Sequence, residues 1–144
     1  MSVTVGPAQA VDLPAILEVL RAAKLPPEGI DGLVATTFVA RDGPRLVGTA
    51  ALELYDCAAL LRSVAVDQTL RSQGLGQRLT RAALDLARAR GATTVYLITE
   101  TAGRFFPRFG FAPIDRTQVA PAVLQSVQFT KACPASALVM RLDL

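Results

Sequence analysis

Two glycines, Gly74 and Gly76, and a nearby arginine, Arg71, form the most chemically suggestive group in this 144-residue sequence. They follow an apolar run and precede an amphipathic pattern, so residues 64–79 predict a strand, a loop and the start of a helix. The first N–H groups of a helix have no partner within the helix and attract anions. Glycines allow positive φ and close backbone approach, and arginine adds a permanent cation. The stretch therefore predicts a phosphate-binding loop.

Two better-known phosphate loops match this stretch poorly. A nucleoside-triphosphate loop ends in Gly-Lys followed by Ser or Thr, whereas Gly76 is followed by Gln77 and Arg78. A dinucleotide fingerprint needs a third glycine, and none completes it here. The remaining alternative is a plain turn between a strand and a helix.

Histidine does not occur in the sequence, which narrows the chemistry available. Its absence excludes Ser-His-Asp and Cys-His nucleophile pairs and histidine-based metal sites, so no metal is expected. The two cysteines, Cys57 and Cys133, are too few for a disulfide framework or a zinc site and are expected to be buried packing residues. Catalysis must then use carboxylates, hydroxyls, thiols or the backbone.

Length and composition predict one globular domain spanning residues 1–144, and the order of its predicted strands and helices makes it α+β. No run approaches the roughly 18 apolar residues of a membrane-spanning helix, and the N-terminus lacks the pattern of a signal peptide. We therefore expect a cytoplasmic protein without a membrane partner. The net charge of +3 permits an anionic ligand, but with 6% aromatic residues no stacking platform for nucleic acid is expected.

The elements that would position the loop can be ordered along the chain. Predicted strands cover residues 3–5, 33–41, 45–55, 58–66, 93–99, 111–114 and 135–141. Predicted helices start at Asp12, at the glycine loop, at residue 102 and at residue 119, and the second ends at Gly91. A strand-helix-strand crossover makes residues 93–99 parallel to residues 58–66. The expected architecture is a mixed, mostly antiparallel sheet flanked by helices.

Two segments of the sequence resemble motifs of the GCN5-related N-acetyltransferase (GNAT) superfamily. LRSQGLGQRL resembles its coenzyme A pyrophosphate loop, and RFFPRFGF is similar to a later aromatic segment of the same superfamily. The resemblance extends over the chain in element order. It implies a GNAT-like fold in which the parallel strand pair splays around the acetyl-CoA loop.

The GNAT resemblance implies that acetyl-CoA is the co-substrate. Its diphosphate would bind the N–H groups of residues 73–77, and its pantetheine arm would lie along residues 64–66. The N–H of Val64 would stabilise the oxyanion formed when an amine attacks the thioester directly. The implied coenzyme-binding residues are Val64, Ala65, Val66, Arg71, Ser72, Gln73, Gly74, Leu75, Gly76, Gln77, Thr99 and Phe106.

Proton transfer is where the sequence departs from the family. An alkylamine is mostly protonated at neutral pH, and Glu53 and Glu100 are the candidate bases, although either can be a solvated strand-edge carboxylate. The tyrosine that serves many relatives as an acid is replaced by Phe106, and the usual asparagine by Thr99. Cys133 is a candidate catalytic donor in place of the tyrosine. Ser136 and Tyr96 are further alternatives for that role.

The acceptor is suggested by a second, narrower resemblance. ALLRSVAV and FTKACPASALVMR resemble the small acetyltransferases associated with bacterial arsenic-resistance operons. This implies a small amine substrate, such as an amino acid or an organoarsenical analogue. Arg62 or Arg116 would hold its anionic group, Ser63 would lie beside it, and Cys133 could also face it.

Two other function classes remain open. Phe106 suggests a catalytically weak protein that binds or senses acyl-CoA, and the positive charge permits a basic partner-binding module. Apolar strands near the C-terminus would provide an edge for a possible homodimer.

Overall fold

A computed structural model describes residues 3–144, which form a seven-stranded sheet with helices on both faces. The strands are β1 (Val3–Pro7), β2 (Thr37–Asp42), β3 (Arg45–Tyr55), β4 (Ala58–Val66), β5 (Thr94–Thr99), β6 (Ala112–Ile114) and β7 (Leu138–Asp143). The α-helices are α1 (Leu13–Ala22), α2 (Leu75–Ala89) and α3 (Pro121–Leu124). Short 3-10 segments include Ile30–Thr36 and Phe106–Phe109, and a π-helical turn spans Gln128–Ala132.

The sheet has the order β1-β2-β3-β4-β5-β7-β6. Only β4 and β5 are parallel, and α2 connects them as a crossover. All other neighbours are antiparallel. This confirms the predicted α+β fold with a mixed, mostly antiparallel sheet.

The two long helices cover opposite faces of the sheet. Ala50 and Leu52 of β3 belong to the cluster that includes Leu79 of α2, whereas Ala51 packs with Ile16 of α1. Alternate residues of a strand face opposite sides, so this division follows from the period-2 geometry of β3. The central strands are therefore buried on both faces, which explains why most of their residues are apolar.

The predicted strand at residues 33–41 begins later than expected. Residues up to Thr36 form a 3-10 turn, and β2 starts at Thr37. The Thr37 hydroxyl donates to the Leu33 carbonyl at 2.7 Å, a local bond that competes with strand pairing. β-branched residues that suggest a strand can thus stabilise the preceding turn.

The C-terminal third also differs from the sequence-based expectation. The helix expected at residues 119–127 is limited to α3, because the Ser126 hydroxyl accepts the Gln128 N–H at 3.1 Å and starts a separate turn. The helix expected from residue 102 is only Phe106–Phe109, ended by Gly110 with φ of 102°. β7 starts three residues later than residue 135, after Pro134.

The cysteines and the C-terminal strand lie in unexpected surroundings. Cys57 is exposed in the turn between β3 and β4, so the expectation of a buried packing thiol is wrong for this residue. Cys133 is half-buried. β7 pairs with strands on both sides, so the sheet edge near the C-terminus is the short β6, which contains Pro113.

Candidate coenzyme and acceptor site

The parallel strands β4 and β5 separate near the middle of the sheet. They pair at Ala58–Thr94, Ala59–Val95 and Leu60–Tyr96, and the pairing ends there. A cavity of about 880 Å³ opens beyond this point, lined by residues 61–66 of β4 and 97–99 of β5. The splayed strand pair implied by the GNAT resemblance is therefore present.

A bulge in β4 lies at the wall of this cavity. Thr49 pairs with Ala65 and Ala51 pairs with Arg62, so Ser63 and Val64 together face one residue of β3. Ser63 has φ of 57°, a left-handed conformation that non-glycine residues rarely adopt. Such a bulge interrupts the ladder and turns peptide groups away from their regular partners.

The glycine loop joins the cavity to the N-terminus of α2. Gly74 precedes α2 with φ of 79°, as predicted, and Ser72 also has positive φ, at 73°. A positive φ does not explain the glycine at position 76, because Gly76 lies inside α2 and its φ is not positive. A Cβ at this position would lie 3.2 Å from Cζ of Phe105. Gly76 thus permits close packing of the later aromatic segment on the loop.

Two arginines line the cavity near this helix N-terminus. Arg71 donates from Nε to the Val66 carbonyl at 3.2 Å, which draws its guanidinium toward the end of β4. Arg108 donates from Nε to the Phe105 carbonyl at 2.8 Å, and its guanidinium lies 4.6 Å from the centre of the Phe105 ring. Together with the N–H groups that start α2, these cations suit a phosphate group.

Arg62 lines the opposite end of the cavity and belongs to a buried ion pair. The Arg62 side chain is 1% exposed and donates to Glu53 at 2.9 Å, to the Ser63 hydroxyl at 3.1 Å and to the Pro26 carbonyl at 3.4 Å. The Tyr55 hydroxyl donates to the other Glu53 oxygen. Burial and this bond raise the pKa of Tyr55 to about 12, so the hydroxyl stays protonated.

Glu100 and Cys133 face the same end of the cavity. Burial raises the pKa of the Cys133 thiol, and the negative charge of Glu100 adds to this shift. The thiol contacts Oε1 of the buried Gln128 at 3.6 Å. Cys133 is consequently a protonated thiol at neutral pH.

A family model described as an acetyltransferase (GNAT) domain matches residues 34–113. The match covers more than half of the chain and includes β2 through most of β6. The chain belongs to the GNAT acetyltransferase family. Comparison with curated protein sequences found no significant match.

Solved structures share the fold of this GNAT protein. Rv2747 from Mycobacterium tuberculosis, in complex with CoA and NLQ, superposes with a TM-score of 0.83 at 24% identity, over 98% of this chain and 99% of that one. N-acetylglutamate synthase from Neisseria gonorrhoeae, with coenzyme A and N-acetyl-glutamate, has a TM-score of 0.86 at 18% identity. This chain is covered completely but corresponds to only 35% of the synthase. A GNAT-family acetyltransferase from Staphylococcus aureus has a TM-score of 0.77 at 17% identity, with 99% of each chain covered.

The described part of the GNAT chain gathers most sequence-predicted residues at one cavity. Of the predicted coenzyme and substrate residues, those lining it are Arg62, Ser63, Val64, Ala65, Val66, Arg71, Ser72, Gly74, Leu75, Gly76, Gln77, Thr99 and Phe106. Glu100 and Cys133 line the cavity as well. Within the described residues 3–144, Gln73, Glu53 and Cys57 do not line it. The two thiols therefore belong to different parts of the molecule.

The contacts of three residues bear on the roles that the sequence predicts for them. Both carboxylate oxygens of Glu53 are engaged, by Arg62 and Tyr55, which leaves this residue poorly placed as a base. The Thr99 hydroxyl accepts the Ala102 N–H at 2.9 Å and so holds the turn after β5. Phe106 is 5% exposed and gives the cavity an aromatic wall without a hydroxyl.

The alternative donors can now be compared. Tyr96 is buried in a cluster with Val119 and Val123. Among residues 3–144, neither Tyr96 nor Ser136 lines the cavity. Cys133 is the one of the three that lines the cavity. Arg116 donates to the Pro134 carbonyl at 2.8 Å and stacks 5.3 Å from the centre of Phe129, also outside the described lining.

The sequence had not indicated three further cavity residues, namely Lys24, Arg108 and Gln128. Arg108 lies inside the RFFPRFGF segment, so its position relative to the motif was an available signal. Lys24 and Gln128 come from loops that approach the cavity only through tertiary packing. Within residues 3–144, no group of three or more potential ligands could hold a metal ion, and no helix is long and apolar enough to span a membrane.

Proposed function

We propose that this acetyltransferase transfers the acetyl group of acetyl-CoA to the amine of a small molecule, by direct attack and without an acyl-enzyme. The single observation that carries the proposal is the cavity between β4 and β5. It runs from the N-terminus of α2, which suits the diphosphate, to the strained bulge at Ser63, which suits the thioester. Both ends are lined by the residues that the GNAT motifs indicate.

The coenzyme would lie along β4. The N–H groups at the start of α2, assisted by Arg71 and Arg108, would bind the phosphates. Residues 61–66 of β4, which have no partner strand on the β5 side, would bind the pantetheine arm in the manner of an added strand. The thioester carbonyl would then lie beside the Val64 N–H, which would polarise it.

The reaction needs one base and, ideally, one hydrogen-bond donor for the thiolate. Glu100 lines the cavity and would take the amine proton, directly or through water, whereas Glu53 is tied to Arg62. The amine nitrogen bonds to the carbonyl carbon, the carbonyl electrons move to oxygen, and their return breaks the C–S bond. The departing thiolate then takes a proton.

Cys133 would assist the departing thiolate in place of the missing tyrosine. Its raised pKa keeps the thiol protonated and makes it a weaker acid than an unperturbed cysteine thiol, whose pKa is about 8.5. Hydrogen-bond donation is therefore favoured over complete proton transfer. The thiolate would acquire its proton from water or from the acid form of the base.

The proposed acceptor is an amino acid or a compound of similar charge. Lys24 and Arg62 at the acceptor end would favour a carboxylate, the Ser63 hydroxyl would add a hydrogen bond, and Glu100 would favour the amine. N-acetylglutamate synthase, which shares the fold, was solved with an acetylated amino acid. An organoarsenical amino acid falls within the same class, but capture of trivalent arsenic by paired thiolates does not fit, because Cys57 lies elsewhere.

A mass-spectrometric screen tests the proposal. The protein is incubated with acetyl-CoA and a panel of amino acids, an arsenical amino acid analogue, and amines without a carboxylate. We expect acetylation of one or more amino acids with release of an equal amount of CoA. Acetylation only of amines without a carboxylate would overturn the acceptor class.

The second candidate, an acyl-CoA sensor, is favoured by Phe106, because the cavity lacks the tyrosine hydroxyl. Tight binding of acetyl-CoA without any acetylated product in the screen would support it. Failure to bind acetyl-CoA at all would contradict both candidates.

A further inference from the structure

The Thr49 side chain contacts the backbone at the bulge. Thr49 is completely buried, and its hydroxyl donates to the Ser63 carbonyl at 2.6 Å. Ser63 is the residue with positive φ, and it lies in the bulge that interrupts the regular ladder between β3 and β4. The threonine hydroxyl supplies the hydrogen bond that this buried carbonyl needs.

The same bond constrains the next N–H group. The Ser63 carbonyl and the Val64 N–H belong to one planar trans peptide unit, in which C=O and N–H point in opposite directions. Holding the oxygen on Thr49, a residue of β3, therefore turns the Val64 N–H away from β3. Beyond Leu60, the side of β4 away from β3 is the gap in which the cavity opens.

We propose that Thr49 is a positioning residue of the acetyltransferase, which aims the Val64 N–H at the thioester carbonyl by anchoring the Ser63–Val64 peptide. This inference rests on the proposed function, since it assumes that the thioester lies at the bulge. Ser63 is held at a second point, because its hydroxyl accepts from Nε of Arg62. Two side chains thus hold a backbone conformation that non-glycine residues rarely adopt.

The strain makes the anchor necessary. A non-glycine residue in the left-handed region tends to relax when its contacts are lost. Without the Thr49 hydroxyl, the Ser63 carbonyl would be left buried without this donor, and rotation of the peptide would relieve both problems at once. Rotation would move the Val64 N–H off the thioester, while the phosphate end of the cavity, formed by the start of α2, would be unaffected.

Carbonyl polarisation can be measured without knowing the acceptor. The probe is acetyl-CoA labelled with ¹³C at the thioester carbonyl, observed by isotope-edited infrared spectroscopy when bound to the protein. We expect the bound carbonyl band of the wild type to lie below that of free acetyl-CoA, because a hydrogen bond weakens the C=O bond. Thr49→Val should return the band most of the way to the free position, with unchanged affinity for CoA.

Thr49→Ser restores the hydroxyl and should restore the wild-type band. Thr80→Val is a matched control, because Thr80 is also completely buried but its hydroxyl has no hydrogen-bond partner among residues 3–144. It should leave the band unchanged. If Thr49→Val fails to fold, Thr49→Cys, with a weak donor of similar size, should give a band between the wild-type and free positions.

A wild-type band in Thr49→Val, or in Thr49→Cys if that variant is used, would overturn the inference. A wild-type protein that binds acetyl-CoA without shifting its carbonyl band would overturn it too. The proposed acetyl transfer would then still stand or fall on the amine screen, so the two failures are distinguishable.

Discussion

Individual residues at the acceptor end divide into those that can react and those that hold others in place. Glu100 and Cys133 line the cavity, whereas Glu53 and Tyr55 bond to Arg62 or to each other. A buried cation without its counter-charge is costly, so the Glu53–Arg62 pair has a structural reason to exist apart from catalysis. The chemistry of each residue therefore follows from its hydrogen bonds more than from its type.

Replacement of the two glutamates should give different results. Glu100→Gln should lower turnover by about 100-fold at neutral pH. The turnover of this variant should recover at higher pH, where more of the amine is already deprotonated. Glu53→Gln should instead lower stability by about 3 kcal/mol, because the buried Arg62 loses its counter-charge. Turnover against pH and urea unfolding measure the two effects. A pH profile changed only by Glu53→Gln would reverse the assignment.

Replacement of Cys133 should change the alkaline side of the pH profile. The raised pKa means that the thiol keeps its proton until the pH exceeds the ordinary thiol range, and its help is lost above that point. Cys133→Ala should lower turnover by about 10-fold, less than for a full general acid, because a coenzyme thiolate leaves readily. The exposed Cys57→Ala is the control and should be neutral. Equal rates for the two variants would remove Cys133 from the mechanism.

At the scale of elements, the site depends on how β4 is joined to its neighbours. Its first half pairs with β3 and β5 and is buried, while its second half pairs with β3 alone beside the cavity. The bulge separates the two halves, and α2 starts where β4 ends. The proposed coenzyme site is therefore an interruption of the sheet, bounded by regular structure on either side.

The start of α1 is joined to the sheet by Asp12, which accepts from Arg41 of β2 at 2.5 Å and from the Gln9 N–H at 2.8 Å. The hydrogen bond from Arg41 holds the pKa of Asp12 below its ordinary value. A lowered pKa stabilises the fold above the unfolded-state value of about 3.9, and this stability is lost as the pH falls through the folded-state pKa.

Asp12→Asn should therefore destabilise the protein at neutral pH by about 1 kcal/mol, a value limited by the partial exposure of Arg41. The difference from wild type should shrink near pH 3. Urea unfolding at the two pH values measures it, with Glu18→Gln in an exposed pair as a control that should change little. A difference that persists unchanged at pH 3 would exclude this ion pair as its cause.

At the scale of the whole molecule, the cavity lies between the two parts of the sheet. Strands β1 to β4 form one part and β5 to β7 the other, with three residue pairs of β4 and β5 joining them. A coenzyme bound between β4 and β5 would contact both parts and α2. Binding should consequently stabilise the molecule as a unit.

Acetyl-CoA at 100 times its dissociation constant should raise the free energy of unfolding by about 2.7 kcal/mol. The measurement is urea or thermal unfolding with increasing acetyl-CoA. The Arg71→Gln variant should require more acetyl-CoA for the same increase in the free energy of unfolding. The control Arg21→Gln removes an exposed arginine of α1 that pairs with Glu18, and it should not change the amount of acetyl-CoA required. Unfolding that does not respond to acetyl-CoA would contradict the coenzyme site.

The sequence by itself determined the features that depend on local patterns. The strand bounds at β3 and β4, the parallel crossover through α2 and the glycine turn at Gly74 could all be predicted. Alternation, helical periodicity and glycine chemistry are encoded within a few neighbouring residues. The GNAT motifs were recognisable for the same reason, and they indicate the half of the cavity in which we propose that the coenzyme binds.

Only the tertiary structure decided the acceptor half. Residues distant in sequence meet there: Lys24 from the loop after α1, Arg62 from β4, Glu100 after β5, and Gln128 and Cys133 from the C-terminal turn. That Glu53 is bound to Arg62, and that Thr49 holds the bulge, depends on registers between strands that no local pattern specifies. The physical reason is that burial and long-range hydrogen bonds assign these residues their roles, and both arise only when the chain is folded.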